Sequence, residues 1–338
     1  MLARSAAGTD SPLAPEPICH TDRVLAKRRL GKLLPPIASF AIIAIAVLVL
    51  WRKLAAVDPS GVAASFAAIP GSMLVLAGLF TAGSLLSLAL YEVQMLRYLR
   101  PMASWKRPFV TGLIAYPIGH AVGFGAFSGG AIRYRIYSAA GLGAADIGKL
   151  ILLSVMPFGA GLGLLAGVSM LVATEGAAVA LHLQPQIITM IGAGLLSMHV
   201  IYAGLVVTRV RLLGSWIPAF ELPSPRLTTI QYLLGVAEVL CGISVLYVLL
   251  PLSAGISFPA FVAVYITAIT AGTLSGVPAG LGVFESILLV TLVGVPTEEL
   301  LGAVLAYRLV YELLPFVGGL LLLLAYEAWA PRGAKKIL

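Results

Sequence analysis

The sequence predicts an all-α polytopic membrane protein with about six full spans and two broken, re-entrant helical regions arranged as an inverted repeat. Three observations carry that reading. The 338 residues are 60% hydrophobic and only 11% charged, whereas soluble domains carry roughly 25% charged residues; mean hydropathy is +1.02. Several apolar runs reach the roughly 20 residues that a helix needs to cross a hydrocarbon core about 30 Å thick. The 36 glycines and 21 prolines suit membrane helices, where both residues mark close packing and breaks.

Residues 1–32 are polar, rich in Pro, Ser and basic residues, and end in Lys27, Arg28, Arg29 and Lys32. They read as a disordered cytoplasmic tail. The polar stretch and the run Leu33–Trp51 are both long for a cleaved signal peptide, so this run is taken as an uncleaved first span. Strong apolar segments follow at 70–96, 145–172, 186–208, 229–251 and 299–326. Residues 33–330 thus form one transmembrane domain, and 331–338 a basic cytoplasmic end. Two further regions are apolar but interrupted. Region 109–143 contains Gly119, Gly123, Gly125, Gly129 and Gly130; region 257–295 contains Ser275-Gly276-Val277-Pro278-Ala279-Gly280-Leu281-Gly282.

The net charge of +8 does not point to nucleic acid, because the basic residues flank apolar runs instead of covering a surface. Positive-inside topology explains them. With each broken region returning to its side of origin, the tail, the 97–107 loop (Arg97, Arg100, Lys106, Arg107), the 209–226 loop (Arg209, Arg211, Arg226) and the C-terminus (Arg332, Lys335, Lys336) are cytoplasmic. The 173–185 and 252–256 connections contain no Lys or Arg and face outward. Arg52 and Lys53 depart from the rule and can snorkel. Making 109–143 a single span would move the 209–226 loop outside; letting each region cross twice leaves the loop sides unchanged and stays open.

This layout gives inverted halves. Span 70–96, region 109–143 and span 145–172 run in one sense, and span 229–251, region 257–295 and span 299–326 in the other. Inverted repeats with interrupted helices are a transporter architecture, since irregular backbone at membrane depth must be buried in protein or line a wet cavity. The competing reading is that the glycines serve close packing alone.

Charges at depth each need a reason, because one at a span centre costs at least about 2.5–3.5 kcal/mol. Glu238 sits mid-span, Glu285 follows the second glycine cluster, and Arg308 and Glu312 lie one turn apart, suited to an i,i+4 pair. Arg133 and Arg135 follow the first cluster; guanidinium forks suit phosphate oxygens, although interfacial anchoring would also explain them. Cations at depth are too few for every carboxylate, so a cationic substrate group or a proton would supply the balance. Glu92, near Arg97, reads as interfacial. His120 and His199 read as packing or locally bonded residues, and Pro117, Pro157 and Pro315 as kinks.

No catalytic residues, cofactor or metal are expected. H-E-x-x-H, G-x-S-x-G and P-loop motifs are missing from the sequence, the four histidines lack ligand spacing, and Cys19 and Cys241 give no disulfide framework.

The motifs Val277-Pro278-Ala279-Gly280-Leu281-Gly282-Val283-Phe284-Glu285 and Tyr307-Arg308-Leu309-Val310-Tyr311-Glu312-Leu313-Leu314-Pro315, with Phe127-Ser128-Gly129-Gly130-Ala131-Ile132-Arg133-Tyr134-Arg135, resemble the lysylphosphatidylglycerol synthase transmembrane family. That family includes the flippase part of the bacterial multiple peptide resistance factor. The resemblance spans residues 33–330. It implies movement of lysyl- or alanyl-phosphatidylglycerol from the inner to the outer leaflet of the bacterial cytoplasmic membrane, with resistance to cationic antimicrobial peptides. It puts weight on Glu285, Tyr307, Arg308 and Glu312, with Gly129, Gly130, Pro278, Gly280 and Gly282 as loop or hinge positions. Arg133, Arg135 and Arg308 would meet phosphate; Glu238, Glu285 and Glu312 would meet an ammonium. Family members continue into further membrane helices and a soluble transferase domain fed by aminoacyl-tRNA. The sequence is expected to be either a part of such a longer protein or a stand-alone member, with a covalent or separate transferase domain as partner. Alternatives are a membrane part that holds the acceptor lipid for a phosphatidylglycerol lysyltransferase, a transporter of another lipid, and a non-transporting scaffold working as a homodimer. No direct nucleic-acid contact is expected.

Overall fold

The computed structural model describes residues 59–101, 104–122, 125–208, 223–251 and 254–329. The expected tail, the span 33–51, the 209–222 part of the basic loop with Arg209 and Arg211, and the basic end after 329 lie outside these residues. Within them the chain is helical throughout: α1 (Pro59–Ala67), α2 (Gly71–Leu99), α3 (Lys106–Val122), α4 (Gly125–Ala139), α5 (Ala144–Val172), α6 (Thr174–Leu181), α7 (Pro185–Thr208), α8 (Pro225–Leu249), α9 (Phe258–Ser275), α10 (Val283–Thr291), α11 (Thr297–Tyr307) and α12 (Leu314–Trp329). Among the described residues, six helices are long and apolar enough to cross a membrane: α2, α5, α7, α8, α9 and the continuous stretch Thr297–Ala328. The protein is a multi-pass membrane protein. Exposed aliphatic side chains such as Leu79, Met190, Val200 and Leu321 suit contact with lipid.

Local chemistry explains the ends. Ser224 caps α8 by accepting the Leu227 N–H, with Pro225 at the first helical position, where its missing N–H costs nothing. Gly276, at φ 72°, ends α9 in the left-handed region that glycine adopts freely. Pro315 cannot donate a backbone hydrogen bond, and a π-helical turn, Arg308–Leu313, takes up the mismatch between α11 and α12.

The two ends of the bundle differ chemically. At one, Leu96 and Leu99 of α2, Leu142, Ile147 of α5, Leu227 of α8, and Leu323 and Tyr326 of α12 share one apolar cluster, and Arg100 pairs with Asp146 at 2.9 Å. The basic 97–107 loop, the start of α8 and the end of α12 therefore lie together, as the charge pattern requires. At the other end, Met170, Ala177, Ile188 and Ala263 pack around α6, which gathers the connections that lack Lys and Arg.

Both interrupted regions are helical hairpins that return to their own end. α3 starts and α4 finishes beside the basic end, with Val110 and Tyr137 in the same cluster. α9 starts at the opposite end, and α10 comes back there, where the His182 ring meets the Val290 carbonyl at 3.2 Å. The nine residues of α10 extend only about 13 Å, too short to cross a 30 Å core, so α10 does not make a second full crossing. The halves interlock: α5 of the first packs on α9 of the second, and α12 of the second on α3 of the first.

The break in 257–295 falls where the sequence placed it, at Gly276–Gly282, and the helix before it, α9, is by itself long enough to span. Other expectations change. Gly129 and Gly130 sit inside α4 and serve packing: a Cβ on Gly129 would lie 2.9 Å from the Ala115 carbonyl oxygen, and one on Gly130 would lie 3.1 Å from Ile151. The helices α1 and α6 stand where the sequence reading had only connections.

Candidate functional site

A cavity of about 630 Å³ opens between the two halves, lined from α2, α3, α4 and α5 on one side and from α8, α9, the 276–280 turn and the 307–315 stretch on the other. Its charged lining residues are Arg133, Glu238 and Glu312, and His120 faces it as well. Of the residues singled out in the sequence, Tyr307 and Gly280 also line it.

Arg133 is 2% exposed. Its Nε and Nη2 donate to both oxygens of Glu92 at 2.9–3.0 Å, Tyr137 donates to the same carboxylate at 3.0 Å, and the guanidinium lies 4.5 Å from the Tyr116 ring centroid. Glu92 is therefore a fully buried counter-ion and not an interfacial residue; the sequence reading weighed it against Arg97, nearby in the chain, while the partner is 41 positions away. Arg135, two residues on, points to the opposite face of α4. It pairs with Glu327 at the exposed basic end and does not reach the cavity.

The second constellation is built by the break after α9. Gly280 and Gly282 take φ of 62° and 81°, and Ala279 takes 52°. Gly280 rests on Gly272, where any Cβ would come within 3.0 Å of the Gly272 Cα. This turn presents the Ala279 carbonyl to Arg308 Nη1 at 2.8 Å and the Gly282 N–H to Glu285 Oε2 at 2.7 Å. Arg308 Nε and Nη2 donate to Glu285 Oε1 at 2.9 and 2.6 Å, and Nη1 also pairs with Glu312 one turn on. Arg308 thus clamps the turn, α10 and the π-helical segment together. Glu285 and Arg308 stand behind the cavity wall; Glu312 is the member of the triad that lines it.

Glu238 has no such cation. It is 2% exposed; its Oε1 accepts a long 3.4 Å contact from the Tyr311 hydroxyl, and its Oε2 is buried with no hydrogen-bond partner among the described residues. Among the described residues, two arginines, Arg133 and Arg308, thus stand in or behind the cavity wall with four carboxylates, Glu92, Glu238, Glu285 and Glu312. Burying an uncompensated charge is costly, so either a proton on Glu238 or an incoming positive group would supply the balance. His199 behaves locally: its Nδ1 meets the Tyr232 hydroxyl at 2.6 Å. Among the described residues, no three His, Cys, Asp or Glu side chains are grouped to hold a metal ion.

The sequence reading missed the aromatic wall. Tyr91, Tyr116, Tyr265 and Tyr311 line the cavity beside Tyr307, with Tyr265 and Tyr307 joined hydroxyl to hydroxyl at 2.7 Å. Single tyrosines spread over α2, α3, α9 and the 307–315 stretch carry no spacing signal.

No family model matches the chain. It is 31% identical over 245 residues to the uncharacterized protein slr0712 of Synechocystis, covering 70% of this chain and 74% of that protein. It is 25% identical over 305 residues to the phosphatidylglycerol lysyltransferase of Staphylococcus aureus, covering 88% of this chain and 34% of the other. It is 26% identical over 216 residues to the inner membrane protein YbhN of Escherichia coli, covering 60% of this chain and 64% of YbhN. The chain thus spans about a third of the lysyltransferase.

Proposed function

This chain belongs to the family of the Synechocystis protein slr0712, and from that footing and its likeness to a phosphatidylglycerol lysyltransferase over 88% of its length we propose that it moves a phospholipid across the bilayer. The cargo is aminoacylated phosphatidylglycerol, lysyl or alanyl, carried from the inner to the outer leaflet of a bacterial cytoplasmic membrane. The basic end of the bundle faces the cytoplasm. Delivery of this lipid lowers negative surface charge and with it susceptibility to cationic peptides.

The observation that supports this reading is a largely apolar cavity between two oppositely directed hairpins whose few charged lining residues carry both signs of charge. Arg133 offers a guanidinium where a phosphate would sit; Glu238 and Glu312 offer carboxylates where an ammonium would sit. Arg308 and Glu285 act by positioning Glu312 and the 276–282 turn. Gly280 and Gly282 let that turn bend; Arg135 has no part in the cargo path.

A leaflet-resolved measurement of aminoacyl-phosphatidylglycerol in cells or proteoliposomes tests this directly. Wild type is expected to raise the outer-leaflet share, and Glu285→Ala and Arg308→Ala to abolish the rise at equal protein levels. Unchanged delivery in both variants overturns the site; no difference between membranes with and without the protein overturns the function. The name of the lysyltransferase relative favours one second reading, a membrane part that holds the acceptor lipid for a transferase. It predicts that lipid modification by a co-expressed transferase, and not leaflet distribution, depends on these residues.

A further inference from the structure

Within the cavity, one corner is built differently from the rest. Gly242 lies one turn after Glu238 on α8, and a Cβ there would come 2.7 Å from the Tyr311 hydroxyl and 3.4 Å from the Tyr265 hydroxyl. The missing side chain lets both phenol oxygens approach α8 beside Glu238. Tyr311 in turn meets Ser84 Oγ at 3.0 Å, and Tyr265 meets Tyr307 at 2.7 Å. The ring faces are already in use: Phe284 stacks on Tyr307 at 5.7 Å, Tyr307 on Tyr311 at 5.2 Å, and Tyr265 sets its ring nearly perpendicular to Tyr307 and Phe284.

This arrangement decides the kind of cation. A cage that offers open aromatic faces suits a quaternary ammonium. Here Phe284 and Tyr311 both stack on Tyr307 and Arg308 lies over Phe284, so the rings pack on one another instead of forming an open cage. The acceptors beside α8 are the bare Glu238 Oε2 and the lone pairs of tyrosine hydroxyls. A primary ammonium carries three N–H donors that can meet such acceptors, whereas a quaternary ammonium carries none and would leave the buried carboxylate without a hydrogen bond. We propose that Glu238, Gly242, Tyr265 and Tyr311 form a headgroup-selecting pocket that admits a primary ammonium and rejects a quaternary one. The cargo named for this pocket rests on the translocation reading; its chemistry rests on the pocket alone.

The test uses the purified full chain in detergent, with n-butylammonium, tetramethylammonium and potassium chlorides at equal ionic strength, read by thermal unfolding. Butylammonium is expected to raise Tm with saturation. Glu238→Gln, nearly isosteric, is expected to remove that rise; Tyr311→Phe is expected to weaken apparent affinity about tenfold, as loss of one hydrogen bond to a charged group does. Gly242→Ala pushes the Tyr311 hydroxyl away from α8 and is expected to remove the response; if it does not fold, Glu238→Gln and Tyr311→Phe still decide. No butylammonium response, an equal response to tetramethylammonium or potassium, or an undiminished response in Glu238→Gln overturns the pocket. The two ideas fail separately. A butylammonium response lost in Glu238→Gln, in a protein that moves no aminoacylated lipid, keeps the pocket and removes the translocation reading; lipid movement without ammonium selectivity does the reverse.

Discussion

Arg133 of α4 and Glu92 of α2 meet as a two-toothed ion pair, with side chains 3% and 0% exposed and Nη2 to Oε2 at 2.9 Å. The pair ties the first hairpin to the span before it and leaves the guanidinium edge on the cavity wall. Its energetic character is set by burial: both charges are tolerable together and neither is tolerable alone.

Glu92→Gln should therefore be one of the most damaging conservative changes in the protein. Removing one partner of a buried pair costs about 3–5 kcal/mol, and here it also weakens the acceptor for Tyr137. A double replacement, Glu92→Met with Arg133→Met, should recover much of that loss in stability while losing lipid delivery. Thermal unfolding in detergent beside the leaflet assay checks both halves; a single variant with wild-type Tm would contradict the pairing.

Gly235 and Gly161 should tolerate no side chain. A Cβ on Gly235 would stand 2.0 Å from the Pro157 carbonyl oxygen, and one on Gly161 would stand 2.3 Å from the Gly235 carbonyl oxygen, so α5 and α8 touch backbone to backbone. Pro157 adds to this by leaving a turn of α5 without its usual donor. Gly235→Ala should cost at least about 1–3 kcal/mol and lower the folded yield sharply. Gly194→Ala on α7, with nothing near its Cβ position, should behave as wild type. Equal yields of the two variants, measured by size-exclusion profile, would remove the contact.

How far the sequence carried depended on the range of each signal. Apolar length and basic loops are local, so α2, α5, α7, α8 and the 299–326 span are legible, and so is the gathering of basic loops at one end. The Arg308–Glu312 pair was legible because i and i+4 share a helix face. Arg133–Glu92 was not, because its partners are 41 positions apart and Arg97 offered a nearer cation. Arg133 and Arg135 looked equivalent as neighbours, yet side chains two apart on a helix point to different faces. Glycines mislead in the same way: Gly129 and Gly130 bring helices together, whereas Gly276, Gly280 and Gly282 end one, and only the Pro and positive-φ context tells the two uses apart.

The strained turn makes opposite predictions for adjacent residues. Ala279 holds φ at 52° and Gly280 at 62°, a region that costs a residue with a Cβ about 1–2 kcal/mol. Ala279→Gly should therefore be neutral or stabilising by up to about 1 kcal/mol, the relief being reduced by the freer unfolded chain. Gly280→Ala adds that strain and also pushes against Gly272. Its Tm should fall while that of Ala279→Gly does not; a matching fall in both would argue against the left-handed turn.

Arg308→Lys tests whether shape or charge holds the second constellation. The guanidinium reaches Glu285 through two nitrogens, the Ala279 carbonyl and Glu312 through a third. A lysine ammonium is a single point with three donors on a flexible stem and cannot hold Glu285 Oε1, the Ala279 carbonyl and Glu312 in this fixed planar arrangement. The charge is kept, so the protein should still fold and insert. The turn at 276–282 and the position of Glu312 should loosen, and outer-leaflet delivery should drop close to the level of Arg308→Ala. Limited proteolysis between residues 276 and 282, run beside the leaflet assay, separates the outcomes. Faster cleavage with lost delivery supports a positioning clamp; full delivery in Arg308→Lys would mean that charge alone suffices and that the fork has no role in transport.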